Sequence, residues 1–422
     1  MSSNVSTGSS SPNRWVIAVA AFCMQLALGA VYAWSVFLTP VMKAYGMAKF
    51  PSNFTFSVAL LAIGIIAGFG GYFNSRFGPR AIATVGGILY GAGIFLAGLA
   101  PNLPMLYLTY GIIGGIGIGL GYIVALAMLI KWFPDRRGFI TGLAVAGFGA
   151  GAALTGPIAA NYMLKPLGLG TTLNILGIVY LVIVVVAAQF FRRAPDGYAP
   201  PGWTPVVKPQ EVRTTRDFDL REALTSPRWY VLWLTLALNV TAGAALISVA
   251  SPLAVDFTKV AAGVASTLVI TISIFNGAGR LFWGWISDFI GRPFTFLSLF
   301  VIQIIMFLLL PSIGNFAILF IPASLIGLCY GGGFGTMPAF AADFFGPKNA
   351  GTIYGAMLTA WSAGGILGPL LIAGMDTRTA LYIIAGIMLV SCVLPFVARA
   401  LGPQEARSIE VVAGEGLATP PQ

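Results

Sequence analysis

Gly284-Trp-Ile-Ser-Asp-Phe-Ile-Gly291 repeats, 213 residues on, the pattern of Gly71-Tyr-Phe-Asn-Ser-Arg-Phe-Gly78, and each copy closes a long apolar run. A second pair keeps the same offset: Phe133-Pro134, Gly138, Gly142 and Gly151 fall on Gly346-Pro347, Gly351, Gly355 and Gly364. Two motif pairs at one shared spacing point to a duplicated unit. Around them the chain is 58% hydrophobic and 9% charged over 422 residues, where a soluble domain carries about 25% charged residues. Twelve apolar runs, the first over 15–40 and the last over 379–399, are each long enough to cross a bilayer as a helix, the form that satisfies its own backbone polar groups.

These observations predict an all-α polytopic membrane protein of twelve transmembrane helices in two six-helix bundles. Both motif pairs fall on one face of the membrane, so the repeat is parallel, with a site expected between the halves. The expected organisation is a tail over 1–14, a first bundle over 15–191, a polar, Pro-rich linker over 192–228, a second bundle over 229–400 and a tail over 401–422. With the N-terminus cytoplasmic, 17 basic residues lie inside and 5 outside, which by the positive-inside rule makes both tails and the linker cytoplasmic. The net charge of +10 then reflects topology and lipid headgroups rather than nucleic acid. The Ser-rich start lacks the basic region of a signal peptide, and a bacterial inner membrane is expected.

Several chemistries find no support. The chain has no histidine, the commonest neutral-pH proton carrier and metal ligand. Cys23, Cys329 and Cys392 lie within apolar runs at no metal or redox spacing and read as small apolar residues. No phosphate-binding loop, nucleophile–base pair or paired carboxylates occur within the spans, so neither an enzyme nor an ATP-driven pump is expected, and no cofactor or metal. The many Gly-x-x-x-Gly spacings, Gly327, Gly331 and Gly335 among them, read as close helix packing.

One charge is out of place. The run VASTLVITISIFNGAGRLFWGWI over 264–286 is apolar except for its polar Ser, Thr and Asn and for Arg280, whereas the other charges sit at run ends, in loops or in tails. A charge at bilayer depth costs roughly 2.5–3.5 kcal/mol on insertion scales. Arginine cannot shed its proton, and its planar fork matches a carboxylate bidentately. Arg280 is therefore the candidate anion site. The alternative is snorkelling to the interface, where Asp288, about 12 Å along a helix, is a long reach. Asn276 lies one turn earlier on the same face and could orient the same ligand or bond a neighbouring helix. Tyr32, Tyr122 and Tyr330 sit mid-span in the first, fourth and tenth runs, too deep for interfacial anchors, whereas Tyr90 and Tyr382 read as anchors. Leu28, one turn before Tyr32, would offer apolar surface to a methyl group.

The Gly-x-x-x-(Asp/Ser)-x-x-Gly element, followed by Arg80 and Arg292, resembles the loop signature of the major facilitator superfamily. Ser75 stands where the acid belongs in the first copy, so a gating ion pair is expected around Gly284, Asp288, Gly291 and Arg292. Within that superfamily GAVYAW (29–34), KWFPDRRG (131–138) and NGAGRLFWGWISDFIGR (276–292) resemble the oxalate–formate antiporters and the monocarboxylate transporters, bacterial lactate carriers in particular. The resemblance implies a cavity lined by the first, fourth, seventh and tenth helices. It also implies an eighth-helix arginine, here Arg280, on the substrate carboxylate, and it matches the antiporters' first- and fourth-helix tyrosines to Tyr32 and Tyr122. The oxalate carriers have an eleventh-helix lysine where this chain has Trp361. One cation balances one carboxylate, which favours a monocarboxylate. The animal carriers' acid before the arginine and first-helix lysine fall on Asn276 and about Val36, so their coupling does not transfer intact.

The expected function is secondary active transport of a small monocarboxylate such as lactate, with a proton, by alternating access. Asp256, at the outer end of the seventh run, is the candidate proton carrier. Anion exchange on the same residues is the alternative, and a ligand-sensing receptor the remote one, since linker and tail are too short for an output domain.

Overall fold

The computed structural model describes residues 13–195, 198–200, 216–346 and 348–401, save the side chains of 71, 75, 137–139 and 141. The expected tails before 13 and after 401, most of the linker, Pro347 and the side chain of Ser75 lie outside the described residues. Among the described residues eleven helices are long and apolar enough to span a membrane. One of them, Gly142–Gln189, has 48 residues and is broken at Gly168, whose φ of 74° only glycine adopts cheaply. It crosses twice, which makes twelve crossings.

We label the spans in order. They are α1 (Arg14–Tyr45), α2 (Lys49–Phe77), α3 (Pro79–Ala97) and α4 (Leu103–Trp132), then α5 and α6 on either side of Gly168, starting at Arg137 and ending at Gln189. The second half holds α7 (Pro227–Thr258), α8 (Ala262–Ile290), α9 (Arg292–Leu309), α10 (Phe316–Phe345), α11 (Ala350–Gly374) and α12 (Thr377–Leu401). The duplication shows in the backbone. Helices α2 and α8 have 29 residues each and begin and end 213 residues apart. Gly78 and Gly291 both turn the chain into the next helix with φ of 80° and 82°.

Between the halves, α2 lies along α11, α5 along α8, and the end of α1 against α7. The four spans α3, α6, α9 and α12 flank this interface, α12 touching it only at its first residue, and carry exposed apolar side chains such as Val85, Val182, Ile305 and Leu389. An apolar exterior suits hydrocarbon, where water cannot repay exposed polar groups.

Ion pairs hold the ends of α1 and α9 on the face that carries Arg14. Arg14 grips Asp135 through two hydrogen bonds of 2.6 and 3.0 Å. Arg292 sits between Asp288 at 2.6 Å and Asp343 at 3.2 Å, and also donates to the Ser287 hydroxyl. The Asp135 carboxyl, in the α4–α5 turn, is held below its ordinary value by the hydrogen bond from Arg14. A carboxyl with a depressed folded value adds stability at neutral pH and loses it as the pH falls through the carboxylate range. Asp135→Asn is expected to lower stability by about 1 kcal/mol at neutral pH. Thermal melts of the variant should converge with wild type in acid.

Candidate functional site

Four distorted helices converge on Arg280. In α1 the chain tightens into a 3₁₀ turn over Ala30–Ala33, which carries Tyr32. Helix α5 is interrupted at Gly151, just after Phe148. Helix α11 is interrupted at Leu358, just before Trp361. Helix α10 has two internal prolines, Pro322 and Pro338, on either side of Tyr330 and Phe334. Mid-span irregularity of this kind is tolerated where it lines a cavity.

The small-residue stripe on α10 fixes where α8 lies. A Cβ at Gly331 would stand 2.0 Å from the Asn276 carbonyl oxygen, and one at Gly335 2.1 Å from that of Arg280. Only glycine lets the two backbones approach this closely. Arg280 and Asn276 are thereby pressed against α10 with their side chains aimed at the first half.

Arg280 is 2% exposed and is the one charged side chain buried among the described residues. It does not reach the interface, which removes the snorkelling alternative. Its three guanidinium nitrogens have no hydrogen-bond partner among the described residues. What surrounds it is aromatic: the guanidinium carbon lies 4.8 Å from the ring centre of Phe334 and 5.7 Å from that of Phe148. Cation–π contacts offset part of the desolvation cost without neutralising the charge. Further rings complete a cage. Tyr122 meets Phe148 at 5.0 Å and Trp361 at 5.4 Å, and Trp361 meets Phe334 at 5.1 Å.

The cage also holds unsatisfied polar atoms. The Tyr122 hydroxyl, the Trp361 indole N–H and the Asn276 side-chain oxygen are buried and make no hydrogen bond of normal length and angle among the described residues, although Tyr122 faces Arg280 and Tyr354, and Trp361 faces Tyr330. Buried polar groups are nearly always paired, so several such atoms around one buried cation make this the candidate binding site. Tyr354 of α11 stands close enough to Tyr122 and Arg280 to interact with both electrostatically.

Tyr32 and Tyr330 join across the two halves, their hydroxyls 2.9 Å apart. The Asn276 amide donates to the Gly149 carbonyl of α5 at 3.5 Å, so this side chain bonds a neighbouring helix and keeps its oxygen free. Toward the face carrying Lys49, Asn53 bonds Ser248 and the Pro369 carbonyl, both at 3.1 Å, and Lys49 bonds Thr377 at 2.9 Å. Toward the other face Gly68 of α2 packs against Gly355 and Thr359 of α11. The halves therefore meet above and below Arg280. An adjoining cavity lined by Tyr32, Ile272, Ser273 and Asn276 holds only about 10 Å³, close to one water-sized probe.

The structure brings Arg280, Asn276, Tyr32, Tyr122 and Tyr330 together. Leu28 is buried against α4 at Gly121. Asp256 is not brought in: it is exposed near the end of α7, where its electrostatic partner is Lys49. The surface end of α7 keeps it in solvent, away from the buried cation. Gly284, Asp288, Gly291 and Arg292 form the end network of the second half rather than part of the cage. Tyr382 is 48% exposed, as an anchor would be, but Tyr90 is buried. Its ring stacks on Tyr180 at 5.0 Å and its hydroxyl donates to the Ala27 carbonyl at 3.1 Å; a neighbouring-helix carbonyl replaces the headgroup region as its partner. Phe148, Phe334 and Tyr354 are candidate site residues that the sequence reading did not name, and Trp361 was named only for standing where the oxalate carriers have a lysine.

The chain matches the family model of the Major Facilitator Superfamily over residues 17–369 and 232–419. It is 32% identical over 400 residues to the oxalate:formate antiporter of Oxalobacter formigenes, covering 92% of this chain and 90% of that one. It is 27% identical over 386 residues to monocarboxylate transporter 11 of Mus musculus, covering 86% and 81%. Its fold resembles that of a bacterial homologue of the human lysosomal transporter Spinster, solved inward-facing and occupied. The TM-score is 0.71 at 16% identity, over 93% of this chain and 98% of the other. A duplicated six-helix bundle, an interface closed around a single buried cation and these similarities agree: the chain is a transporter of the major facilitator superfamily.

Proposed function

We propose that this protein carries a small monocarboxylate across a bacterial inner membrane by alternating access, with both termini cytoplasmic and Arg280 as the anion site. The observation that carries the reading is the buried guanidinium with no acidic partner, and no hydrogen bond of normal geometry on its three nitrogens, among the described residues. A carboxylate would take two of its N–H groups in a bidentate pair. Tyr122 and Trp361 add neutral donors on the same side. The Asn276 oxygen, one turn away on α8, is an acceptor suited to a hydroxyl hydrogen, which favours a 2-hydroxy acid such as lactate. Tyr32 and Tyr330 close over the ligand from either half, and Leu28 adds apolar surface. The cage offers one positive charge, and a dianion would leave one negative charge unpaired in a dry site.

Charge also bears on coupling. An anion on Arg280 neutralises the buried charge while the halves rock, and the empty carrier must move it uncompensated. No Asp or Glu is buried among the described residues, and Asp256 stands far out on α7. This favours exchange of one carboxylate for another over proton symport. Proteoliposomes loaded with unlabelled L-lactate should take up labelled L-lactate, whereas empty ones given only an inside-alkaline gradient should take up little. Accumulation driven by the gradient alone would establish proton symport instead.

A further inference from the structure

The ends of α2, α3 and α6 on the Arg14 face enclose an open cleft of about 840 Å³. Arg76, Arg80, Arg192 and Arg193 line it, with no acid among its described residues. Gln189 organises the cluster. Its side-chain oxygen accepts from Arg80 Nε at 2.9 Å and Nη2 at 2.6 Å, and its amide donates to Thr84 at 3.2 Å. Arg192 donates to the Gln189 and Phe191 carbonyls at 2.7 and 2.9 Å. Arg76 donates to the Tyr72 hydroxyl at 3.1 Å. These partners are neutral: they hold the guanidinium groups in place and leave the positive charge of Arg76, Arg80 and Arg192 standing. Helix α3 starts in the same cleft with Pro79 at its first position, so its free N–H groups add to the positive field.

The cleft is not purely polar. Phe77 is 56% exposed at its rim and Val85 46%. Below it Ile88 of α3 and Val186 of α6 continue as exposed apolar surface along the outside of the first half. A soluble anion would use the arginines and leave this strip idle. A phospholipid uses both, because its phosphate sits at the span ends and its chains run down the helices.

We propose that this cleft binds an anionic phospholipid of the cytoplasmic leaflet, with its headgroup phosphate on Arg76, Arg80 and Arg192 and its acyl chains along α3 and α6. Like charges held close repel, so the bound phosphate also stabilises the first half. The site is on one half only, away from Arg280, and its occupancy is independent of the transported anion.

The test is lipid retention, read by native mass spectrometry on the full-length transporter taken from bilayers of phosphatidylcholine with phosphatidylglycerol or cardiolipin. Wild type should keep the anionic lipid. The triple variant Arg76→Gln, Arg80→Gln, Arg192→Gln should keep about tenfold less. A charge-matched control, Lys131→Gln, Arg228→Gln, Lys348→Gln, should match wild type. Should the triple variant fail to fold, Gln189→Leu unpins Arg80 without removing charge and should still lower retention. In thermal melts phosphatidylglycerol should raise the midpoint, with inorganic phosphate and glycerol 3-phosphate ineffective at equal concentration. Equal retention in the arginine and control variants, unchanged retention in Gln189→Leu, or equal stabilisation by the soluble phosphates would overturn the proposal.

Discussion

Arg280→Gln is expected to cut carboxylate transport by about a hundredfold or more, because two charge-assisted hydrogen bonds are lost at about 1.5–3 kcal/mol each. The same change should leave the empty protein at least as stable as wild type. In the structure the guanidinium is 2% exposed and has no ion pair and no hydrogen bond of normal geometry among the described residues, so glutamine removes an uncompensated buried charge rather than a supporting contact. Loss of transport together with an undiminished melting temperature separates a binding role from a structural one, since a structural arginine would lose both. Arg280→Lys keeps the charge as a point without the planar fork and should still lose about tenfold. These variants are read by uptake in proteoliposomes and by thermal melts in detergent.

Trp361→Lys carries the second large effect. Trp361 is fully buried and touches Tyr32, Tyr122, Phe148 and Phe334, with ring centres 5.1 to 6.5 Å away. A lysine here would place a second cation beside Arg280, and one carboxylate cannot balance both. Leaving a buried charge uncompensated costs about 3–5 kcal/mol, so monocarboxylate exchange should fall by about a hundredfold. Uptake of a dianion such as oxalate should rise relative to lactate. Trp361→Phe, which keeps most of the ring packing and loses the indole N–H, should stay folded and show a milder loss. Lactate transport unchanged in Trp361→Lys would mean that the eleventh helix does not set the charge count.

The features legible in the sequence were those with contrast. Arg280 stood out because a lone charge in an apolar run is conspicuous, and the repeat because glycine motifs keep their spacing; helices α2 and α8 match it to the residue. Most of the cage was not legible, since Phe148 and Phe334 are aromatic residues among many apolar ones and Trp361 was marked only by the lysine of the oxalate carriers. Their role comes from the breaks at Gly151 and Leu358 and from interhelical packing, which periodicity does not encode. Tyr90 shows the same limit from the other side. It read as an interface anchor, but it lies near the middle of α3, where the Ala27 carbonyl on α1 takes its hydroxyl. Asp256 could be placed along the chain but not relative to Arg280, because that separation depends on how α7 leans against α1 and α11.

The most direct measurement is isothermal titration of L-lactate and of lactamide, its uncharged counterpart, into wild type and Arg280→Gln. Lactate should bind wild type and lose about a hundredfold in affinity in the variant, and lactamide should bind both weakly and alike. Lactate affinity that survives in Arg280→Gln, or lactamide binding as tight as lactate, would contradict the assignment of Arg280 as the carboxylate site.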